Sequence, residues 1–192
     1  MRVIAGAAGG IRLDVPKTDV RPTMDRVKAA IFSSLGDEII NARVLDLFAG
    51  TGALGIEALS RGATSALFVE KNADAIAAIE RNLVRTKLEG QIRRQDVLAF
   101  LRSTQTREPF QIIFADPPYE KTKSGGEFTT LLLEDAQLAE MLALSGILVL
   151  EKRPAERMPP TPLWNVTRAR TYGATEVLFL QRAGTSAEVR AR

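Results

Sequence analysis

Two short runs in this chain combine residue types that can hold a reactive small molecule beside a flat polar substrate. The first, Val44-Leu-Asp-Leu-Phe-Ala-Gly-Thr-Gly52, reads as a buried strand entering a glycine turn, with Asp46 four residues ahead of Gly50. The second, Asp116-Pro-Pro-Tyr119, places a carboxylate, a stiff carbonyl and an aromatic ring just after the apolar run Ile112-Ile-Phe-Ala115. A glycine turn lets backbone approach a ligand closely. The carboxylate and the proline carbonyl are acceptors that can hold both hydrogens of an amine.

Gly50-Thr-Gly-Ala-Leu-Gly55 matches the dinucleotide fingerprint G-x-G-x-x-G, with Glu70 close to the expected acidic position. One reading is therefore a nicotinamide-dependent oxidoreductase. Asp46 favours another. A dinucleotide site aims a helix N-terminus at a pyrophosphate, which a nearby carboxylate repels. S-adenosylmethionine has no phosphate and carries a sulfonium and an ammonium, so an acid at the strand end suits it. Glu70 closes Ala66-Leu-Phe-Val-Glu70, where its carboxylate can accept both ribose hydroxyls, or act as a helix-start acid, or do both. Asp96, in Arg94-Gln-Asp-Val97, can accept from an adenine amino group or cap a helix over 97–103; both roles stay open.

An exocyclic base amine is a poor nucleophile because its lone pair is delocalised into the ring. Asp116 and the Pro117 carbonyl can hold its hydrogens, aim the lone pair at a methyl group and stabilise the positive charge that develops. Pro117 and Pro118 stiffen the loop and remove competing N–H donors. Tyr119 can stack on the base. The pairing points to an N-methyltransferase that needs neither a metal nor a covalent intermediate.

Composition narrows the field. The 192 residues include no cysteine and no histidine. That excludes disulfides, thiol nucleophiles, histidine triads and nearly all zinc sites, and also cytosine C5-methylation through an attacking cysteine. A net charge of +3 permits an acidic partner such as RNA without requiring one. The sequence shows no membrane-length apolar run and no signal-peptide core, so a cytoplasmic protein is expected.

The elements that must position these residues follow from periodicity. Arg2–Gly6 and Ile11–Val15 alternate around Gly9-Gly10 as a β-hairpin. A helix follows with Thr23 as N-cap and Met24, Val27, Ile31 and Leu35 on its apolar face. Strands are expected at 43–48, 65–70, 91–95, 110–115 and 146–151, and helices at 53–60, 73–87, 97–103 and 128–143. Gly62 and Asn72 mark a helix end and a helix cap. This order implies an α/β, mostly parallel doubly wound sheet. Residues 164–172 and 175–181 form a C-terminal antiparallel hairpin joined at Gly173. One domain over 1–182 is expected, with 1–35 as an N-terminal hairpin and helix, 43–182 as the core and 183–192 as a frayed tail.

The arginines of 81–107 read mainly as solvated charges. Arg12, Lys17, Arg21, Arg26 and Lys28 are stronger candidates for RNA contact, because the N-terminal unit is additional to a cofactor sheet.

The chain resembles the bacterial 16S ribosomal RNA guanine-N2 methyltransferases of the small-subunit methylase D family. The resemblance runs from Met1 to about Gln181. It rests on Met1-Arg-Val-Ile-Ala-Gly6, Arg21-Pro-Thr-Met-Asp-Arg26, Asp46 to Gly55, Glu57-Ala-Leu-Ser-Arg-Gly-Ala63, Phe68-Val-Glu70, Asp116-Pro-Pro-Tyr119 and Tyr172-Gly173. It implies a class I methyltransferase (Rossmann-like) fold, S-adenosylmethionine as donor, and the N2 amine of one guanine of small-subunit RNA as acceptor, the family's site being guanine 966 in rRNA numbering. It also implies a donor pocket of Asp46, Phe48, Ala49, Gly50, Thr51, Gly52, Glu70, Lys71, Asp96 and Val97. The partner would be ribosomal RNA or the small subunit, an assembly intermediate included, met by a monomer. The Asp-Pro-Pro-Tyr run is shared with DNA adenine methylases, which leaves adenine-N6 methylation as the nearest rival and a non-catalytic RNA-binding module as a more distant one.

Overall fold

Seven strands form one sheet: β1 (Arg43–Leu47), β2 (Ser65–Glu70), β3 (Gln91–Arg94), β4 (Phe110–Ala115), β5 (Leu142–Lys152), β6 (Trp164–Tyr172) and β7 (Thr175–Arg182). Their spatial order is β3-β2-β1-β4-β5-β7-β6. The first five pair in parallel, and β7 joins β5 antiparallel with β6 outside it. This is the computed structural model of the chain, and it describes residues 1–15, 24–105, 108–118, 127–156, 158–160 and 162–184.

Parallel pairing requires crossovers, and helices supply them. Helices α2 (Ala53–Ser60), α3 (Ala73–Thr86) and α4 (Val97–Ser103) follow β1, β2 and β3 in turn. Helix α1 (Met24–Leu35) precedes the sheet, and α5 (Glu127–Leu133) and α6 (Ala136–Met141) lie between β4 and β5. The switch in strand order falls between β1 and β4, where ligands bind in open α/β sheets.

Side-chain alternation along the strands divides the core in two. On one face Val44, Phe68, Phe114 and Val149 pack with Val27, Ile31 and Phe32 of α1, Ile56 of α2, Ile79 of α3 and Val3 and Leu13 of the N-terminal segment. The other face joins Leu45, Val69, Ile113 and Leu148 to Phe100 and Leu101 of α4, Leu132 and Leu133 of α5 and Leu138 of α6. Both faces of the inner strands are covered, which explains their unbroken apolar runs.

Two expectations need correction. The helix expected over 128–143 is two helices, because Asp135 accepts from the Leu138 N–H and starts a new one. Its last two residues, Leu142 and Ala143, belong to β5, which begins four residues earlier than expected. The N-terminal hairpin is present as a short one: the antiparallel Arg2–Arg12 bridge is flanked by Val3 N–H donating to the Ile11 carbonyl at 2.9 Å and Leu13 N–H donating to the Met1 carbonyl at 3.1 Å. Other amides of the segment dock it on α2: Ile4 and Ala5 N–H donate to the Glu57 carboxylate, and Ala8 N–H donates to Ser60 Oγ. Gly6, at φ +84°, lies so close to the Ser60 carbonyl that a Cβ there would fall 1.8 Å from its oxygen. The expected Thr23 cap lies outside the described residues.

Candidate active site

Strand register brings four carboxylates to one rim. Asp46 on β1 is level with Phe68 on β2 and Phe114 on β4, and Phe114 is level with Val149 on β5. Two residues further along their chains come Glu70, Asp116 and Glu151. Alternation returns all three to the side of the sheet that α1 covers. All four line a cavity of about 450 Å³, within the range of small-molecule sites.

At one end of the cavity lies the turn after β1. Phe48 adopts φ +57° and Gly50 φ +54°, which throws the chain over the strand end. Gly50 N–H donates to Glu70 Oε2 at 2.9 Å. The other Glu70 oxygen accepts from Lys71 and Asn72 N–H, both at 2.8 Å. Glu70 therefore fixes the turn and starts α3, whose cap is Asn72, accepting from Asp74 and Ala75 N–H. Asp96 caps α4 through Leu98 and Ala99 N–H and pairs with Lys71 at 3.1 Å. The Lys71 hydrogen bond holds the Asp96 carboxyl below its ordinary range.

Asp46 is only 2% exposed, and its Oδ2 accepts from Gly55 N–H at 2.8 Å. Burial pushes its carboxyl up from 3.8 to about 8; the Gly55 bond opposes this, while Asp116 and Glu70 add to it. Only glycine fits at position 55, since a Cβ would fall 2.3 Å from the Phe68 ring. A cation entering the cavity would favour the charged form of Asp46.

Asp116, Pro117 and Pro118 follow β4 and line the same cavity, with Pro117 buried. Tyr119 lies outside the described residues, as do Lys17 and Arg21. The expected donor-pocket residues line the cavity with one exception. Gly52 (φ +75°) is the residue preceding α2 and faces Ile56 and Ile79, so it shapes the turn from behind. Opposite this end, the lining continues through Met1, Val15, Val27 and Lys28 to Glu151 and Thr175.

The chain matches known proteins over nearly all of its length. Residues 1–181 match the family model described as Conserved hypothetical protein 95. The chain is 34% identical over 185 residues to ribosomal RNA small subunit methyltransferase D of Escherichia coli K12, covering 95% of this chain and 90% of that protein. It is 40% identical over 189 residues to YlbH of Bacillus subtilis, covering 96% and 100%. The chain belongs to the small-subunit methylase D family. Among solved structures, a Thermus thermophilus protein described only as hypothetical superposes with a TM-score of 0.77 at 30% identity, over 94% of this chain and 99% of that one. A Thermus thermophilus 16S rRNA N2 G1207 methyltransferase, solved with AdoMet and guanosine, is 22% identical with a TM-score of 0.69 and shares the fold, over 86% of this chain and 44% of that one.

For this member of the methylase D family, one basic candidate must be withdrawn. Lys28 is 3% exposed, pairs with Glu57 at 2.9 Å and donates to the Arg2 carbonyl, so it faces no solvent RNA. Arg61 Nε reaches the other Glu57 oxygen at 2.7 Å. Burial disfavours the Glu57 charge, yet Lys28, the Ile4 amide and Arg61 together hold its pKa below the ordinary value. Arg12 and Arg26 are exposed. Periodicity gave no sign of this buried ion group. Glu151 was also missed, although it ends an apolar strand run much as Glu70 does.

Proposed function

We propose that the chain methylates the exocyclic N2 amine of a guanine in small-subunit ribosomal RNA. That it is an S-adenosylmethionine-dependent rRNA methyltransferase follows from the family to which it belongs. The choice of base and atom is our reading of the cavity. The observation that carries it is the placement of Asp116-Pro117-Pro118 on the same cavity as Asp46, the glycine turn and Glu70.

The residues present suit the donor. Gly50 is open on its Cβ side, with only the Phe48 carbonyl within 3.9 Å, so a ligand can lie against the turn. When bound, S-adenosylmethionine supplies an electrophilic methyl group on a sulfonium and leaves as S-adenosylhomocysteine. Glu70 and Asp96 retain acceptor capacity for ribose and adenine beyond the backbone bonds they make. Asp46 offers negative charge to a cationic ligand.

On the acceptor side, Asp116 and the Pro117 carbonyl accept the two N2 hydrogens and hold the lone pair toward the methyl carbon. As the N–C bond forms, the C–S bond breaks and its electron pair stays on sulfur. The nitrogen becomes cationic and releases a proton toward Asp116, which passes it to water. Holding both reactants in line supplies about 7–11 kcal/mol of barrier lowering. Tyr119 stacks on the base. Residues 43–182 act as the catalytic core, and residues 1–35 carry part of the RNA-facing surface.

The test is transfer of labelled methyl from S-adenosylmethionine to naked rRNA, assembled small subunits and duplex DNA, followed by nucleoside analysis. N2-methylguanosine in the RNA is expected. N6-methyladenine in DNA as the dominant product would overturn the reading, and tight NAD binding would revive the oxidoreductase alternative.

A further inference from the structure

Glu151 lines the cavity, and the reaction proposed above assigns it no role. It lies one residue beyond Leu150, the register partner of Ala115, and Asp116 lies one residue beyond Ala115. The two acids thus end neighbouring parallel strands, whose backbones run about 4.8 Å apart. Alternation puts both on the α1 side, and both line the cavity. The order across the sheet is β2, β1, β4, β5, so Glu151 lies on the far side of Asp116 from the Glu70 end. The adjacent cation does not share this position. Lys152 alternates to the opposite face and pairs with Glu176 at 2.7 Å, while donating to the Arg153 and Glu156 carbonyls.

We propose that Glu151 selects guanine by accepting its N1–H while Asp116 and Pro117 hold the N2 amine. This rests on the guanine-N2 reading above. In guanine N1–H adjoins the 2-amino group, so the edge presents a row of donors to two neighbouring carboxylates. Adenine and cytosine present an amine beside a ring nitrogen that carries a lone pair and no hydrogen. A Glu151 oxygen facing that lone pair gains no hydrogen bond and meets electron density instead. An Asp-Pro-Pro run alone can hold any of these amines; the acid one strand away makes the site read the ring. Sites built to hydrogen-bond a donor reject analogues that lack it far more strongly than apolar pockets reject a missing methylene.

The test compares wild type with Glu151→Gln and Glu151→Ala. Wild type is first checked for N2-methylguanosine formation on small subunits or rRNA; its absence would sink the guanine-N2 reading itself. With that product present, Glu151→Gln is expected to lose about ten- to a hundred-fold in kcat/KM, with S-adenosylhomocysteine affinity and thermal midpoint near wild type. Guanosine and 2-aminopurine riboside, which share the 2-amino group but differ at N1, then serve as competitive inhibitors. Wild type should favour guanosine, and both variants should lose that preference, with Glu151→Gln shifting toward 2-aminopurine because its amide can donate to N1. Turnover within three-fold of wild type, or an unchanged inhibitor ratio, overturns the proposal. Loss of S-adenosylhomocysteine binding or of cooperative melting in both variants also overturns it, by assigning Glu151 to the sheet edge.

Discussion

Asp46 Oδ2 accepts a 2.8 Å hydrogen bond from Gly55 N–H, tying the end of β1 to the first turn of α2 across the floor of the cavity. The bond exists because residue 55 has no side chain; a Cβ there would also press on Asp46 at 3.0 Å. Burial favours the protonated form of this acid, whereas the Gly55 bond, and a cationic ligand in the cavity, favour the charged one.

The first prediction concerns that proton. The folded-state pKa of Asp46 is raised, from 3.8 to about 8. Its contribution to stability is thus fully present below pH 3.8 and lost as pH rises through about 8. The ligand-free protein should show a declining thermal midpoint across that window, and Asp46→Asn should remove much of the decline. Binding a sulfonium should expel the proton. Calorimetry at pH 7 in two buffers of different ionisation enthalpy should therefore report proton release on S-adenosylmethionine binding in wild type and less in Asp46→Asn. Equal release in both proteins would dissociate Asp46 from the donor.

The proposed mechanism assigns Asp116 to the acceptor, so its removal should separate chemistry from donor binding. Asp116→Ala is expected to keep less than a tenth of normal turnover while binding S-adenosylhomocysteine within a few-fold of wild type. Tyr119→Ala should be milder, since lost base stacking is worth about 1–3 kcal/mol. Single-turnover methyl transfer at saturating donor distinguishes the two. A fast Asp116→Ala enzyme would remove the acid from the proposed mechanism.

Glu57 holds the N-terminal segment and α1 to α2. Its side chain is fully buried, and it binds Lys28, Arg61 and the Ile4 and Ala5 amides at once. Removing one partner of a buried ion group costs about 3–5 kcal/mol, because the other charge is left uncompensated. Glu57→Ala should lower the urea midpoint accordingly and expose residues 1–15 to protease. The folded pKa of Glu57 is lowered. Its stabilisation is thus present above pH 4.5 and lost as pH falls through the depressed value, so the stability gap between wild type and variant should narrow as pH falls below 4.5.

The strands and the glycine turn after β1 were legible because their signals are local. Ile112–Ala115 and Ala66–Val69 are apolar runs bounded by polar residues, and Asn72 and Asp96 announce helix starts. The boundary near Leu142 was not legible, since Met141-Leu-Ala-Leu144 suits a buried helix or a buried strand equally. The withdrawal of Lys28 and the docking of Ala5 and Ala8 on α2 depend on partners 29 and more positions away in the chain, and no window contains them. Glu151 was open to the rule that flagged Glu70, an acid at the C-terminal end of a parallel strand. It was passed over because no turn motif accompanies it.

The last prediction follows from the N-terminal segment. Its basic residues Arg2, Arg12, Lys17, Arg21, Arg26 and Lys28 outnumber Asp14, Asp19 and Asp25. The structure sorts those it describes. Lys28 is consumed by Glu57, whereas Arg12 and Arg26 are exposed. Arg12 lends its carbonyl to Arg85, and Asp14 pairs with Arg81 at 2.7 Å, so this segment and α3 form one continuous surface. Phosphate contacts position an RNA and make its binding salt-dependent, whereas base contacts, assigned above to the cavity, carry the specificity. Replacing Arg12 and Arg26 together by Ala should therefore weaken RNA binding and reduce the slope of log K against log salt by about 1–2. S-adenosylhomocysteine affinity should stay constant, because neither side chain lines the cavity. Replacing Lys28 should do the reverse, lowering stability while leaving the salt slope of any folded fraction unchanged. Filter binding across a salt series, with urea unfolding in parallel, reads both effects. An unchanged slope in the Arg12 and Arg26 double variant would mean that RNA docks on another face and that the segment serves only to roof the cavity.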